Sequence, residues 1–138
     1  SGARITTIES DTLPFEDGSY INPVIFDDVD LDSKIAQDEI FGPVLIVLTV
    51  SNIKEAIEIA NSSRYGLASS IWTSDYDEAY QVSRLLESGI VHVNSYGDDD
   101  NTVPFGGVKE SGLGTDKSIH AFNEYSNVKT TWMSFNSL

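Results

Sequence analysis

The stretch VLIVLTVSNIKEAIEIANSSRYG, residues 44–66, decides the fold. Its first seven residues form an aliphatic, β-branched run, which predicts a strand buried on both faces. Ser51 or Asn52 is then expected to cap a helix, since Glu55 lies three residues after Asn52. One apolar stripe at helical spacing supports that helix: Ile53, Ala56, Ile57 and Ala60. The stretch therefore predicts a buried strand followed by an amphipathic helix.

The same alternation continues on both sides of this stretch. Further strands are predicted for four segments: RITTIE (4–9), INPVIF (21–26), ASSIWT (68–73) and IVHVN (90–94). Between the last two, Ser74 is expected to cap a second helix that ends near Gly89. A chain that alternates strands and helices in this way predicts an α/β fold, with a mostly parallel sheet flanked by helices.

The last third of the chain has a different pattern. A loop of about 20 residues follows Asn94 and carries five glycines, one proline and three consecutive aspartates. Loops of that length are uncommon in compact domains and are usually functional. A short helix over about residues 116–125 and a final strand, VKTTWMSF (128–135), are expected to complete the fold.

Composition excludes several classes of function. The chain has 138 residues, of which 40% are hydrophobic, and its net charge is −14. That charge argues against nucleic acid as a partner, because phosphate binding requires clustered Lys and Arg. No apolar run reaches the roughly 20 residues of a membrane helix. We see no secretory signal and expect a cytoplasmic protein. Without cysteine, the chain has no disulfide, thiolate metal site or cysteine nucleophile.

The segment QDEIFGPV (37–44) places a carboxylate two residues before an aromatic ring. The carboxylate of Glu39 can accept two hydrogen bonds from a vicinal diol such as a ribose. The ring of Phe41 can pack against a sugar or a nicotinamide, and Gly42-Pro43 can fix the backbone behind it. The alternative is that Glu39 is an ordinary surface glutamate and Phe41 a buried core residue.

The glycine-rich loop contains PFGGVKESGLG (104–114), and glycine-rich loops before helices often bind phosphate. The strict P-loop pattern fails here, because it requires glycine directly before Lys-Ser and Asp116 stands there instead. We therefore expect these glycines to hold Phe105 on a fixed backbone, with plain core packing of Phe105 as the alternative. The neighbouring aspartates form a charge run, which is usually a solvated loop tip: Asp98, Asp99 and Asp100.

Residues 28–39 offer a calcium loop as an alternative reading. Acidic residues occupy the loop positions 1, 3, 5 and 12 that calcium requires, namely Asp28, Asp30, Asp32 and Glu39. Position 6 is Ser33, where the sharp turn of such a loop requires glycine, and the preceding segment predicts a strand rather than a helix. The predicted site therefore contains no metal, with calcium kept as the alternative.

Several segments together resemble one enzyme family. Five segments of this chain resemble the C-terminal part of the NAD(P)-dependent aldehyde dehydrogenase superfamily. They are INPVIFDDV (21–29), IAQDEIFGPVL (35–45), EAIEIANSSRYGLASSIWTSD (55–75), SGIVHVN (88–94) and TVPFGGVKESGLGTDKS (102–118). The resemblance covers nearly the whole chain. GDDDNTVPFGG and GTDKSIHAFNEYSNVKTTWMS look most like the branch that oxidises gamma-glutamyl-gamma-aminobutyraldehyde and related aminoaldehydes.

The resemblance implies a role for each candidate residue. Glu39 aligns with the glutamate that holds the nicotinamide ribose, and Phe41 with the aromatic residue that packs at the nicotinamide end of the cofactor. Phe105 aligns with an aromatic wall of the aldehyde tunnel, and the loop from Tyr96 to Val103, which includes the three aspartates, with the segment that shapes its entrance. The strand 128–135 aligns with the element that crosses to a neighbouring subunit, so we expect a homo-oligomer.

The resemblance also predicts what this chain lacks. In the family a cysteine thiolate attacks the aldehyde, hydride passes to the cofactor, and a glutamate-activated water hydrolyses the thioester. The chain has no cysteine, and the base and cofactor domain are expected before Ser1, so we predict that the chain alone is inactive. Residues 1–127 are expected to form part of the catalytic domain, and residues 128–138 an oligomerisation strand and tail. The complete enzyme would use NAD or NADP, which this chain alone is not expected to bind tightly. The alternative is a non-catalytic binding or self-association module.

Overall fold

The computed structural model describes residues 3–7, 18–97 and 100–135. The chain divides into two compact units, Ser1–Glu58 and Ile59–Leu138, and the boundary falls inside a helix. Within the described residues, no helix has the length and apolar character needed to cross a membrane.

The first unit contains a three-stranded sheet in the order β1 (Arg4–Thr7), β2 (Val24–Asp27) and β3 (Val44–Val47). Strand β1 runs antiparallel to β2, and β2 runs parallel to β3. A parallel pair requires a crossover, and here that connection contains the single-turn helix α1 (Lys34–Gln37). Arg4 and Asp27 lie opposite each other in the β1–β2 register and form an ion pair. The hydrogen bond from Arg4 lowers the pKa of Asp27 below its ordinary value.

Strand β3 is not buried on both faces, so that part of the prediction is wrong. Val44 and Ile46 are half-buried, whereas Leu45 is 56% and Val47 is 41% exposed. An apolar run predicts that a strand is buried, but it does not identify the residues that pack against the strand. In this chain, one apolar face of β3 remains open to solvent.

Helix α2 (Ile53–Ser62) follows β3 and agrees with the predicted amphipathic helix. The side chain of Asn52 accepts a hydrogen bond from the Glu55 backbone N–H at 3.0 Å. In return, the Glu55 carboxylate accepts one from the Ser51 N–H at 2.7 Å. The expected reciprocal cap is therefore present, with Asn52 as the capping side chain.

In the second unit, β5 (Ala68–Ile71) and β6 (Ile90–Val93) form a parallel pair joined by helix α3 (Tyr76–Leu85). Ala79 and Val82 lie on the inner face of α3 and are buried. The cap of α3 is Asp75, whose side chain accepts from the Glu78 N–H at 3.0 Å, and not the predicted Ser74. Ser and Asp are both common at the N-cap position, so the sequence did not distinguish Ser74 from Asp75.

The glycine-rich loop is more structured than predicted. Two-residue strands form two antiparallel pairs: β4 (Tyr65–Gly66) with β8 (Val108–Lys109), and β7 (Phe105–Gly106) with β9 (Thr115–Asp116). The helix predicted over 116–125 is reduced to α4 (Ala121–Glu124). These pairings join residues that are distant in sequence, which local patterns do not reveal.

The predicted α/β class is confirmed, although the strands form several small sheets rather than one. The strand predicted over 128–135 is absent, since none of the described strands pairs with that segment. A strand exists only through hydrogen bonds to a neighbour, so an extended sequence without one has no ladder.

Candidate functional site

The segment that carries Glu39 and Phe41 connects α1 to β3 and is fixed by its own backbone. The Ile40 carbonyl accepts from the Gly42 N–H at 2.8 Å, and the Gly42 carbonyl accepts from the Val44 N–H at 2.8 Å. These are two successive three-residue turns, centred on Phe41 and on Pro43. The Pro43 carbonyl also accepts from the Val24 N–H of β2 at 2.9 Å, which ties the turns to the sheet. Phe41 is therefore held on a defined backbone.

Both candidate side chains in this segment face solvent. Phe41 is 95% exposed, which excludes the alternative that it is a core residue of this chain. Glu39 is also exposed, and within the described ranges its carboxylate has no hydrogen-bond or ion-pair partner. The Glu39 carboxylate can accept hydrogen bonds from a diol, and the exposed Phe41 ring can pack on a flat surface.

Phe105 lies in the second unit, on strand β7, and is half-buried. Its ring lines a cavity of about 320 Å³. Other residues that line the cavity are Leu67, Ser111, Thr115, Asp116, Glu124 and Tyr125. Phe105 is thus partly packed and also lines an open space.

The glycines around Phe105 are needed for close backbone approaches. A Cβ atom on Gly107 would lie 2.6 Å from the Ser111 side chain, and one on Gly106 would lie 3.0 Å from the Gly114 carbonyl oxygen. Gly112 has φ +117°, a conformation that residues with side chains rarely adopt. The glycine-rich sequence therefore serves the tight backbone that presents Phe105.

Sequence reasoning missed one residue beside Phe105. The ammonium group of Lys117 lies 5.0 Å from the centre of the Phe105 ring, in a cation–π contact. The contact follows from the β7–β9 pairing, in which Phe105 is opposite Asp116. No local pattern links a phenylalanine to a lysine twelve positions later in a glycine-rich loop, so the sequence offered no signal.

The loop after β6 carries the remaining candidates. Tyr96 is exposed, with its ring centre 6.3 Å from that of His92. The Asp100 carboxylate accepts hydrogen bonds from both the backbone N–H and the hydroxyl of Thr102, each at 2.8 Å. The Thr102 N–H, followed by its hydroxyl, lowers the pKa of Asp100. Asp98 and Asp99 lie outside the described residues.

The candidates thus fall into two groups. Glu39 and Phe41 belong to the first unit, and Tyr96, Asp100 and Phe105 belong to the second. Within the second unit, the Asn101 carbonyl accepts from the Ser118 N–H at 2.9 Å. This bond attaches the acidic loop to the turn that follows β9.

Residues 28–39 form a turn and a short helix. The Asp30 side chain accepts from the Asp32 N–H at 3.0 Å, and the Asp30 carbonyl accepts from the Ser33 N–H at 3.0 Å. Among the residues that the structure describes, no three acidic or histidine side chains converge on a point that could hold a metal ion. The structure gives the calcium alternative no support.

Comparison with known proteins adds a family match and close relatives. Residues 1–131 match the model of the Aldehyde dehydrogenase family. The NADP/NAD-dependent aldehyde dehydrogenase PuuC of Escherichia coli is 48% identical over 114 residues, which are 83% of this chain and 23% of PuuC.

Solved structures give the same result. P. syringae AldA, an indole-3-acetaldehyde dehydrogenase solved with NAD+ and IAA, superposes with a TM-score of 0.86 at 48% identity, over 97% of this chain and 27% of AldA. The gamma-glutamyl-gamma-aminobutyraldehyde dehydrogenase of Burkholderia cenocepacia has a TM-score of 0.77 at 49% identity, over 83% of this chain and 23% of that protein. The chain spans about a quarter of the length of each of these proteins.

Proposed function

The chain belongs to the aldehyde dehydrogenase family, and we propose that it forms the C-terminal part of an NAD(P)-dependent enzyme that oxidises aldehydes to carboxylic acids. Relatives at 48% identity include an NADP/NAD-dependent aldehyde dehydrogenase and a protein solved with NAD+. The open apolar face of β3 supports a role as part of a larger protein, because residues such as Leu45 need cover.

The exposed pair of Glu39 and Phe41 is the observation that carries the cofactor assignment. NAD(P), when bound, supplies the hydride acceptor. The Glu39 carboxylate would accept hydrogen bonds from the nicotinamide ribose hydroxyls, and the ring of Phe41 would pack at the nicotinamide end. The two successive turns fix the backbone at Phe41 and Pro43, so little ordering of that backbone would be required on binding.

The aldehyde would approach along the Phe105 wall. Asp98, Asp99 and Asp100 would place negative charge at the entrance, which favours substrates that carry an ammonium group. We therefore propose aminoaldehydes as the preferred substrates of the complete enzyme.

These 138 residues alone are proposed to be inactive. The thiolate mechanism requires a cysteine, and the sequence contains none. One ribose-binding carboxylate also cannot offset the entropy lost when a dinucleotide binds, so NAD binding should be weak or absent. The purified chain, incubated with an aldehyde and NAD+, should form no NADH above background. Steady turnover by the pure chain would contradict the proposal.

The two site assignments are tested separately in the complete enzyme. Glu39→Gln should raise the KM for NAD+ about tenfold or more, because hydrogen bonds to a charged acceptor weaken, while the KM for aldehyde changes little. Phe105→Ala should instead raise the KM for aldehyde and leave that for NAD+ near its original value. Steady-state kinetics with each substrate varied in turn distinguishes the two effects.

Glu58→Gln is the matched control for the Glu39 variant. Glu58 lies on helix α2, where its carboxylate is 3.7 Å from the Lys54 ammonium group in an exposed pair. This substitution should leave both KM values unchanged. An unchanged KM for NAD+ in Glu39→Gln would remove the ribose assignment, and an unchanged aldehyde KM in Phe105→Ala would remove the tunnel assignment.

The substrate preference has its own test. Replacing Asp98, Asp99 and Asp100 together with Asn in the complete enzyme should raise the KM for aminoaldehydes more than that for aliphatic aldehydes. The reason is that only the charged substrate loses a long-range attraction. Equal effects on both substrates would show that the acidic run is a solvated tip.

A self-association module is the second candidate, favoured by the C-terminal segment. Trp132 is 91% and Phe135 is 86% exposed, and none of the described strands pairs with residues 128–135. Exposed apolar residues on an unpaired extended segment favour strand pairing with a second copy. Light scattering should show oligomers that disappear when the chain ends at residue 127. A monomer at high concentration would contradict this candidate.

A further inference from the structure

Lys117 forms a defined contact with Phe105, the aromatic residue that lines the cavity. The Lys117 ammonium lies 5.0 Å from the centre of the ring, and both side chains are half-buried. A cation over an aromatic face is attracted by the negative charge of that face. The lysine therefore occupies one face of the ring that lines the 320 Å³ cavity.

The backbone holds this lysine in place from both sides. Lys117 has φ 58° and Ser118 has φ 52°, two successive residues in the left-handed region that side chains disfavour. Just before Lys117, strand β9 pairs with β7, which carries Phe105. Just after Lys117, the Ser118 N–H donates to the Asn101 carbonyl at 2.9 Å. Disfavoured conformations of this kind persist where the surrounding contacts fix them, and they are frequent at functional sites.

The same lysine also acts on the acidic loop. Hydrogen bonds from Thr102 are the main cause of the lowered pKa of Asp100, and the positive charge of Lys117 adds a smaller effect in the same direction. The backbone supports this relationship, because the Ser118 N–H, next to Lys117, donates to the carbonyl of Asn101, next to Asp100, at 2.9 Å. The ammonium group of Lys117 thus lies on the Phe105 ring and in the neighbourhood of Asp100.

We propose that Lys117 tunes charge specificity: its ammonium, seated on the Phe105 ring, offsets part of the charge of Asp100 and so weakens the preference for aldehydes that carry an ammonium group. The proposal rests on the proposed function, because it takes Phe105 as a wall of the aldehyde tunnel. A substrate cation that enters the cavity beside the Phe105 ring is repelled by the ammonium group that already lies on that ring. A neutral chain is not repelled, and a carboxylate is attracted.

The test compares three aldehydes of similar length in the complete enzyme: β-aminopropionaldehyde, butyraldehyde and succinic semialdehyde. Lys117→Met removes the charge and keeps the length of the side chain. Relative to butyraldehyde, kcat/KM for β-aminopropionaldehyde should rise about two- to fivefold, and kcat/KM for succinic semialdehyde should fall by a similar factor, as expected for one partly exposed cation. A loss of structure alone would move all three substrates in the same direction.

Two further variants keep the test decisive if Lys117→Met folds poorly. Lys117→Gly removes the charge and also suits the positive φ, so it should reproduce the change in specificity. Lys117→Arg keeps a cation on the ring and should retain the original ratios. Lys54→Met, on an exposed helix face, is the control and should change nothing.

The outcomes separate this inference from the proposed function. Unchanged substrate ratios in both Lys117→Met and Lys117→Gly, while Phe105→Ala still lowers kcat/KM for butyraldehyde, would overturn the role of Lys117 alone. If Phe105→Ala leaves all three aldehydes unaffected, the tunnel assignment and the inference fall together. Opposite shifts for the ammonium and carboxylate substrates would establish the role of Lys117.

Discussion

Gly89 lies so close to Gly106 that a Cβ atom on Gly89 would fall 1.8 Å from the Gly106 carbonyl oxygen. The Gly89 N–H also donates to the Gly66 carbonyl at 3.0 Å. The start of β6 therefore touches the backbone of β7, the strand that presents Phe105. A single methyl group at this point would have to displace main chain rather than a flexible side chain.

Gly89→Ala should therefore shift the backbone that carries Phe105. We expect a loss of about 1–3 kcal/mol in the free energy of unfolding, the usual cost of forcing an added methyl group into a packed site. In the complete enzyme, the KM for aldehyde should rise as well. Chemical denaturation and steady-state kinetics measure the two effects.

Gly114→Ala is the matched control for this substitution, because a Cβ atom there would meet nothing within 4 Å. It should leave both stability and the KM for aldehyde nearly unchanged. If Gly89→Ala behaves like Gly114→Ala, the close approach does not constrain Phe105.

Lys109 joins one carboxylate and two backbone carbonyls of the second unit. Its ammonium lies 2.7 Å from the Glu87 carboxylate and donates to the carbonyls of Asn61 at 2.7 Å and Ser63 at 3.1 Å. Lys109→Met keeps the side-chain length and removes these bonds. The free energy of unfolding should fall by about 1–3 kcal/mol, since three polar groups lose a charged partner.

Lys54→Met is the comparison for Lys109→Met, because the Lys54–Glu58 pair is exposed, four residues apart on a helix and 3.7 Å long. Pairs of that kind contribute about 0.3–0.5 kcal/mol. Equal losses in the two variants would show that the Lys109 contacts add nothing beyond an ordinary surface pair. Urea unfolding of both variants gives the comparison.

Helices α2 and α3 were predictable from sequence because their determinants are local. The stripe on α2 and its Asn52–Glu55 cap lie within a few residues of each other, so the pattern contains the whole interaction. The pairing of Tyr65 with Lys109 joins positions 44 residues apart, and no local pattern encodes that register. The small strands of the glycine-rich loop were missed for this reason.

The candidate site divides in the same way. The fixed backbone at Phe41 was predicted from the adjacent Gly42-Pro43 sequence, and it is present as two successive turns. The contact of Lys117 with Phe105 depends on the β7–β9 pairing and was not predictable from either residue. The exposed face of β3 was also unpredictable, because hydrophobicity predicts that a strand is buried but does not show which residues pack against it.

The acidic loop has a pH dependence whose direction follows from its hydrogen bonds. The pKa of Asp100 is lowered by the Thr102 N–H and then by the Thr102 hydroxyl. A carboxylate with a lowered pKa in the folded state stabilises the loop at pH values above its ordinary pKa. That contribution is lost as the pH falls through the lowered pKa of the folded state. Acid should therefore destabilise the turn that joins Asp100 to Thr102.

Thr102→Val removes the hydroxyl donor and keeps the backbone donor. The pKa of Asp100 should then rise part of the way towards its ordinary value, as an NMR titration of its carboxylate carbon measures. Thr49→Val, an exposed substitution in the first unit, should leave the titration of Asp100 unchanged. Titration of Asp100 at the same pH in wild type and Thr102→Val would show that the hydroxyl does not bond to the carboxylate in solution.

The N-cap of α3 differs between the sequence prediction, Ser74, and the structure, Asp75, and substitutions at the two positions distinguish them. Asp75 accepts from the Glu78 N–H, so Asp75→Ala should destabilise the first turn by about 0.5–2 kcal/mol. Faster amide hydrogen exchange in that turn measures the loss locally. Ser74→Ala should leave the exchange unchanged if Asp75 is the cap. The reverse result, with protection lost only in Ser74→Ala, would mean that α3 begins one residue earlier in solution.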